Sequence, residues 1–98
     1  MYARVTTLQM DPSTLEEVTG RLQREDVPAF EKLDGFKGMT VVADRQGGKT
    51  IALTFWDSEQ AMRDSEDAVK GARQRAAETG RADEPQVERF EVMFDTMA

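Results

Sequence analysis

Few residues in this chain are equipped for chemistry. There is no histidine and no cysteine. The usual imidazole base, the commonest zinc ligand, the thiolate nucleophile, the proximal haem ligand and any disulfide are all absent with them. What remains is the only tryptophan, Trp56, the only tyrosine, Tyr2, and two arginines, Arg4 and Arg89, set in alternating segments near the two ends. An arginine can hold a carboxylate or phenolate, a phenol can donate to a carbonyl, and an indole offers a planar wall. These four are the candidate substrate-binding residues; no catalytic residue is assigned.

Each candidate also has a structural reading. Trp56 closes an apolar run just before a helix, a place for a pocket rim or for an aromatic plug, and packing is favoured. Arg4 and Arg89 suit cross-strand or inter-subunit pairing with a carboxylate. Tyr2, on a terminal strand, suits an interface. Met39, Met62 and Met93 read as core filler that would also suit a loosely shaped apolar pocket. Asp64, Glu66 and Asp67 read as a solvated acidic face and not as a metal site. Gly47-Gly48 is no phosphate-binding loop, because no Lys-Ser/Thr follows it into a helix.

The formal charge is −6 and the pI is near 4.6. A surface of alternating charges with an acidic excess repels phosphate backbones, so nucleic acid is not an expected partner. No apolar run approaches the roughly 20 residues that span a bilayer. Met1-Tyr2-Ala3-Arg4-Val5 lacks the basic start and apolar middle of a signal peptide, and a cytoplasmic location is expected.

The elements that must position these residues are legible. Ninety-eight residues are one domain's worth of chain, here residues 1–98. Tyr2 to Gln9 reads as a strand closed by Asp11-Pro12. Ser13-Thr14-Leu15-Glu16 has the form of a capping box, and Leu15, Val18, Leu22, Phe30 and Leu33 follow at helical spacing. Pro28 predicts a kink or restart near Asp26. Gly35 suits a left-handed helix end. Met39 to Asp44 and Lys49 to Trp56 form a hairpin around a glycine turn. A second helix runs from Asp57 to its stop at Gly80, with Ser65 on its apolar stripe. Arg81 to Pro85 is a loop and Val87 to Phe94 the last strand. Residues 1–44 and 49–94 each read strand–helix–strand. The fold class is α+β: a ferredoxin-like βαββαβ domain whose four-stranded antiparallel sheet carries two helices on one face.

Alternation divides the strands. Ile51, Leu53 and Phe55 share one face, as do Phe90, Val92 and Phe94; these apolar sets are expected to meet the helices. The other face, with Thr50, Ala52, Thr54, Val42, Trp56 and Met93, and with Tyr2 or Leu8 also placed there, is expected to be covered by a second copy of the chain.

Gly35-Phe36-Lys37-Gly38, Asp44 before the glycine turn, and Ile51-Ala52-Leu53-Thr54-Phe55-Trp56-Asp57-Ser58-Glu59-Gln60-Ala61-Met62 resemble the antibiotic biosynthesis monooxygenase (ABM) family. Pro28-Ala29-Phe30 fits the same pattern. The resemblance implies a homodimeric α+β barrel made by sheet-to-sheet pairing. Haem-degrading members use a histidine and an asparagine, and this chain has neither; no haem and no other cofactor is expected. Cofactor-free oxygenases of the family gather Asn, Trp, Tyr and Arg around a phenol, for which Trp56, Tyr2 and Arg4 or Arg89 are the stand-ins here. Two functions follow: a cofactor-independent monooxygenase of a small aromatic, phenolic (polyketide-like) substrate, or a non-catalytic dimeric module that binds a small molecule or a protein. An arginine within reach of a closed pocket favours the first. A filled core favours the second.

Overall fold

The computed structural model describes residues 1–97. Runs rich in β-branched and aromatic residues form β1 (Tyr2–Gln9), β2 (Phe36–Ala43), β3 (Lys49–Trp56) and β4 (Gln86–Glu91). All neighbours pair antiparallel in the order β2-β3-β1-β4, the ferredoxin-like arrangement expected from the order of elements. The hairpin turns at Gly48, whose φ of +84° and approach to the Met10 carbonyl leave no room for a side chain.

The first helical segment starts differently from the expected capping box. Asp11 is the cap: its carboxylate accepts from the Ser13 N–H at 2.9 Å and from the Ser13 hydroxyl at 2.7 Å. Ser13 is thus a donor, and Glu16 turns outward to Arg45. A 3-10 turn (Pro12–Thr14) leads into α1 (Leu15–Arg21), and a π turn (Leu22–Asp26) precedes α2 (Val27–Phe30). The Val27 N–H reaches back five residues to the Leu22 carbonyl, so the restart ahead of Pro28 takes the form of a widened turn. Beyond it, Gly35 adopts φ +80°, and a Cβ there would strike Asp57 and Ala61.

The second helix is two helices. Ser58 caps α3 (Glu59–Asp64), accepting from the Ala61 N–H at 3.1 Å. The chain breaks at Ser65 and resumes as α4 (Glu66–Thr79). The cause lies far away in sequence. Arg4, from β1, donates to the Met62 carbonyl at 2.6 Å and to the Ser65 hydroxyl at 3.2 Å, and Ser65 itself donates to the same carbonyl at 2.6 Å.

The two faces of the sheet are the reverse of the expectation. Register puts Tyr2, Arg4, Thr6 and Leu8 beside Trp56, Thr54, Ala52 and Thr50, and it is this face that meets the helices. Both core clusters consist of helix residues, neighbouring loop residues and side chains of this face. Val5, Ile51, Leu53 and Phe55 lie on the uncovered face and are half-buried only; Val42, expected beside Trp56, pairs with Ile51 on this face instead, and it and Phe90 are each 50% exposed. The inner layer is filled by a few bulky groups, Trp56, Phe30 and Leu8 among them, and small threonines leave room for the helices. Met93 follows the end of β4 and is 85% exposed, so it is not core filler.

Candidate functional site

Between the inner face and the helices lies a narrow cavity of about 40 Å³ that opens to solvent. β1 and β3 contribute Thr6, Ala52 and Thr54, β2 contributes Met39 and Val41, and the helices contribute Leu22, Phe30, Val69 and Ala72. The walls are almost wholly apolar. Threonines and one charged residue, Arg73 of α4, also line it, but they present almost no polar surface to the space. A groove along α1 and β2 shares Thr19 and Val41 with the cavity and also has Glu16 and Arg45 in its lining.

Arg73 belongs to a charged cluster built on Glu66, the first residue of α4. The Glu66 carboxylate receives Arg73 at 3.0 Å on one oxygen, and Arg4 at 2.9 Å and Arg89 at 3.0 Å on the other. The strand register explains why it is needed. Arg4 and Arg89 stand directly opposite each other on β1 and β4, a like-charge pair that is unfavourable unless an anion lies between. Arg4 is wholly buried and lies 5.9 Å from the centre of the Trp56 ring. Burial draws its pKa down, Glu66 opposes this, and the charges of Arg89 and Arg73 add to the lowering. Burial pushes the Glu66 carboxyl up, but hydrogen bonds from Arg73 and Arg89 and the charges of Arg4 and Arg73 outweigh it. The group titrates below the ordinary glutamate value. Two guanidinium N–H groups stay buried without an acceptor, Nε of Arg4 and Nη1 of Arg73.

Of the four candidates read from sequence, Arg4, Arg89 and Trp56 are brought together around this cluster, and none lines the cavity. Trp56 is fully buried, edge-on to Phe36, and donates its indole N–H to the Thr54 hydroxyl at 3.0 Å. It therefore stands behind the cavity wall, in one cluster with the wall residues Phe30, Val69 and Ala72 and bonded to Thr54. Tyr2 is half-buried against the Trp56 cluster. Sequence reasoning missed Arg73 and took Glu66 for a solvated residue. The available signal was the spacing Glu66, Val69, Arg73, which puts both charges on the buried stripe of α4.

The sequence pattern of the antibiotic biosynthesis monooxygenase family matches residues 1–73, and the chain belongs to that family. It is 35% identical over 77 residues to the uncharacterized protein Rv2558 of Mycobacterium tuberculosis, a match covering 79% of this chain and 33% of that protein. The chain thus spans about a third of that relative. Among solved structures it is similar to a Streptomyces coelicolor monooxygenase in complex with nanaomycin D, with TM-score 0.79 and 19% identity over 99% of this chain and 91% of the other. It is also similar to SnoaB, a cofactor-independent oxygenase of Streptomyces nogalater, with TM-score 0.66 and 18% identity over 96% and 94%. At such identities these structures bear on the fold alone.

Proposed function

We propose that the chain is a cofactor-independent monooxygenase of a small phenolic aromatic, working as a homodimer joined through the uncovered sheet face. The observation that carries the activity is the apolar cavity with one arginine in its wall. An aromatic body matches the walls, and a cation beside the ring lowers the cost of ionising a phenol in an apolar site. The phenolate can pass an electron to dioxygen, and the resulting pair can combine at a ring carbon. Loss of water then leaves a carbonyl. In sum a CH₂ becomes C=O, one atom of O₂ enters the product, and the other leaves as water with both hydrogens. No external reductant is needed. The family membership and the two oxygenase structures support this reading.

A second reading is favoured by one feature of the same cavity: no carboxylate, histidine or tyrosine lines it, so the protein offers no general base. A binding module without turnover would look the same. Incubation with 1,8-dihydroxyanthrone separates the two. We expect oxygen uptake about tenfold above the spontaneous rate, and one atom of ¹⁸O per molecule of anthraquinone formed from ¹⁸O₂. Saturable binding with no added oxygen uptake would establish the non-catalytic reading instead.

A further inference from the structure

We infer that the cavity is a dry site for dioxygen, the smaller of the two reactants. The inference rests on the oxygenase reading for the identity of the gas; that the space takes a small apolar molecule follows from its walls. At about 40 Å³ it exceeds the roughly 10–15 Å³ that one water needs, so size alone would let water in. A buried water also needs roughly two to four polar partners, and the wall keeps its polar groups for itself. The Thr19 hydroxyl donates to the Leu15 carbonyl at 2.8 Å and the Thr50 hydroxyl to the Gly48 carbonyl at 3.2 Å, while the Thr54 hydroxyl accepts the Trp56 indole N–H. Arg73 turns to Glu66. What faces the space is carbon. Native interiors keep few voids larger than a water, and this one stays open because Ala52, Ala72 and Ala76 line it where larger side chains would fill it. An apolar molecule seated there regains the dispersion contacts that an empty void forfeits. Dioxygen gives up no hydrogen bonds in leaving water. An aromatic ring is larger: an apolar cavity that takes benzene measures about 150 Å³. The ring has to widen this cavity to enter and dioxygen does not, so dioxygen can be in place before the ring arrives.

The methionine methyls of the wild-type chain provide the test. Met10 and Met39 line the cavity, Met62 is buried but does not line it, and Met93 and Met97 are exposed. With ¹³C-methyl labels, xenon pressure should shift the Met10 and Met39 signals along saturating curves. Met62 should not move, and Met93 and Met97 should drift only linearly. Dioxygen is paramagnetic, so under oxygen pressure the Met10 and Met39 methyls should relax faster than the other three, and added xenon should reverse this by taking the same space. Ala52→Val, which adds bulk to the wall at a strand position that suits a β-branched residue, should lose both responses. Linear drifts at Met10 and Met39 in the wild type, or saturating shifts that Ala52→Val leaves unchanged, overturn the site. Saturation by xenon without the faster relaxation under oxygen overturns dioxygen as the occupant. The readout needs no turnover. Oxidation of the anthrone without these responses would keep the oxygenase reading and overturn the site, and the responses without oxidation would do the reverse.

Discussion

The inner face of the sheet holds Arg4, three buried threonines and a tryptophan, and helices cover it. The outer face holds Val5, Ile51, Leu53, Phe55, Val42 and Phe90, and no helix among the described residues covers it. In a lone domain the more apolar face would be the covered one. The inversion teaches what each face is for. A polar, threonine-rich layer under helices is poor packing material but leaves space and hydrogen-bonding groups beside a charged cluster. An apolar outer face is an unfavourable surface for a monomer and a good one for a self-complementary contact, because each residue is buried twice in a two-fold dimer.

The largest expected effect tests the outer face. Leu53→Asp removes one buried leucine from each subunit and places two carboxylates in the seam. At about 1.5–3 kcal/mol per leucine, the dimer should lose about 3–6 kcal/mol, and its dissociation constant should rise at least a hundredfold. Light scattering at micromolar concentration should give about twice the 11.0 kDa chain mass for the wild type and a single chain mass for the variant. A monomeric wild type would mean that the apolar outer face stands in solvent, and the contrast between the faces would lose its explanation.

The order of elements, the glycine turn at Gly48, the left-handed Gly35 and the restart before Pro28 were all legible in the sequence, because each depends on neighbours a few residues away; the helix itself ends earlier than expected, at Phe30. The inward direction of each strand was not. Alternation shows that Ile51, Leu53 and Phe55 share a face, but when both faces carry apolar groups it does not show which one the helices choose. The same boundary separates the site residues. Trp56, Arg4 and Arg89 stand out by type. Glu66 and Arg73 matter because Arg4, 61 residues before Ser65 in sequence, inserts at a helix break that no local pattern announces. The Ser13 capping box failed for a smaller reason: Asp11, two residues earlier, offers a charged acceptor that wins the same donors.

A smaller effect tests the inner face. Trp56 is fully buried and stands one layer behind the cavity, so packing should dominate its role. Trp56→Ala should cost about 3–5 kcal/mol of stability, read by denaturant unfolding. Trp56→Phe should cost far less, since it keeps most of the apolar volume and loses the indole bond to Thr54. Should Trp56→Ala weaken aromatic ligands strongly while barely moving stability, Trp56 would belong to the cavity wall and the inner face would be a binding surface throughout.

The smallest effect concerns the charged cluster that the inner face supports. Glu66 has a folded-state pKa below its unfolded value, which is near 4.3 for a free glutamate. A depressed carboxylate stabilises the fold above the unfolded pKa, and that stabilisation disappears as pH falls through the lower, folded value. Arg4, Arg73 and Arg89, the groups that face it, stay charged throughout this range, so the change is Glu66's own. Its side chain is 32% exposed, and solvent screening keeps the contribution near that of a surface pair, under about 1 kcal/mol. In a domain of this size that is less than about 4–8 °C in Tm. Thermal melts of the wild type and Glu66→Gln between pH 6 and pH 3 provide the check, because the variant cannot titrate. The wild type should melt higher at pH 6, and the gap should close below about pH 4. A gap that stays constant down to pH 3 would mean that the three arginines do not converge on Glu66 in solution. The inner face would then be merely polar, without the positive charge that distinguishes it from the outer one.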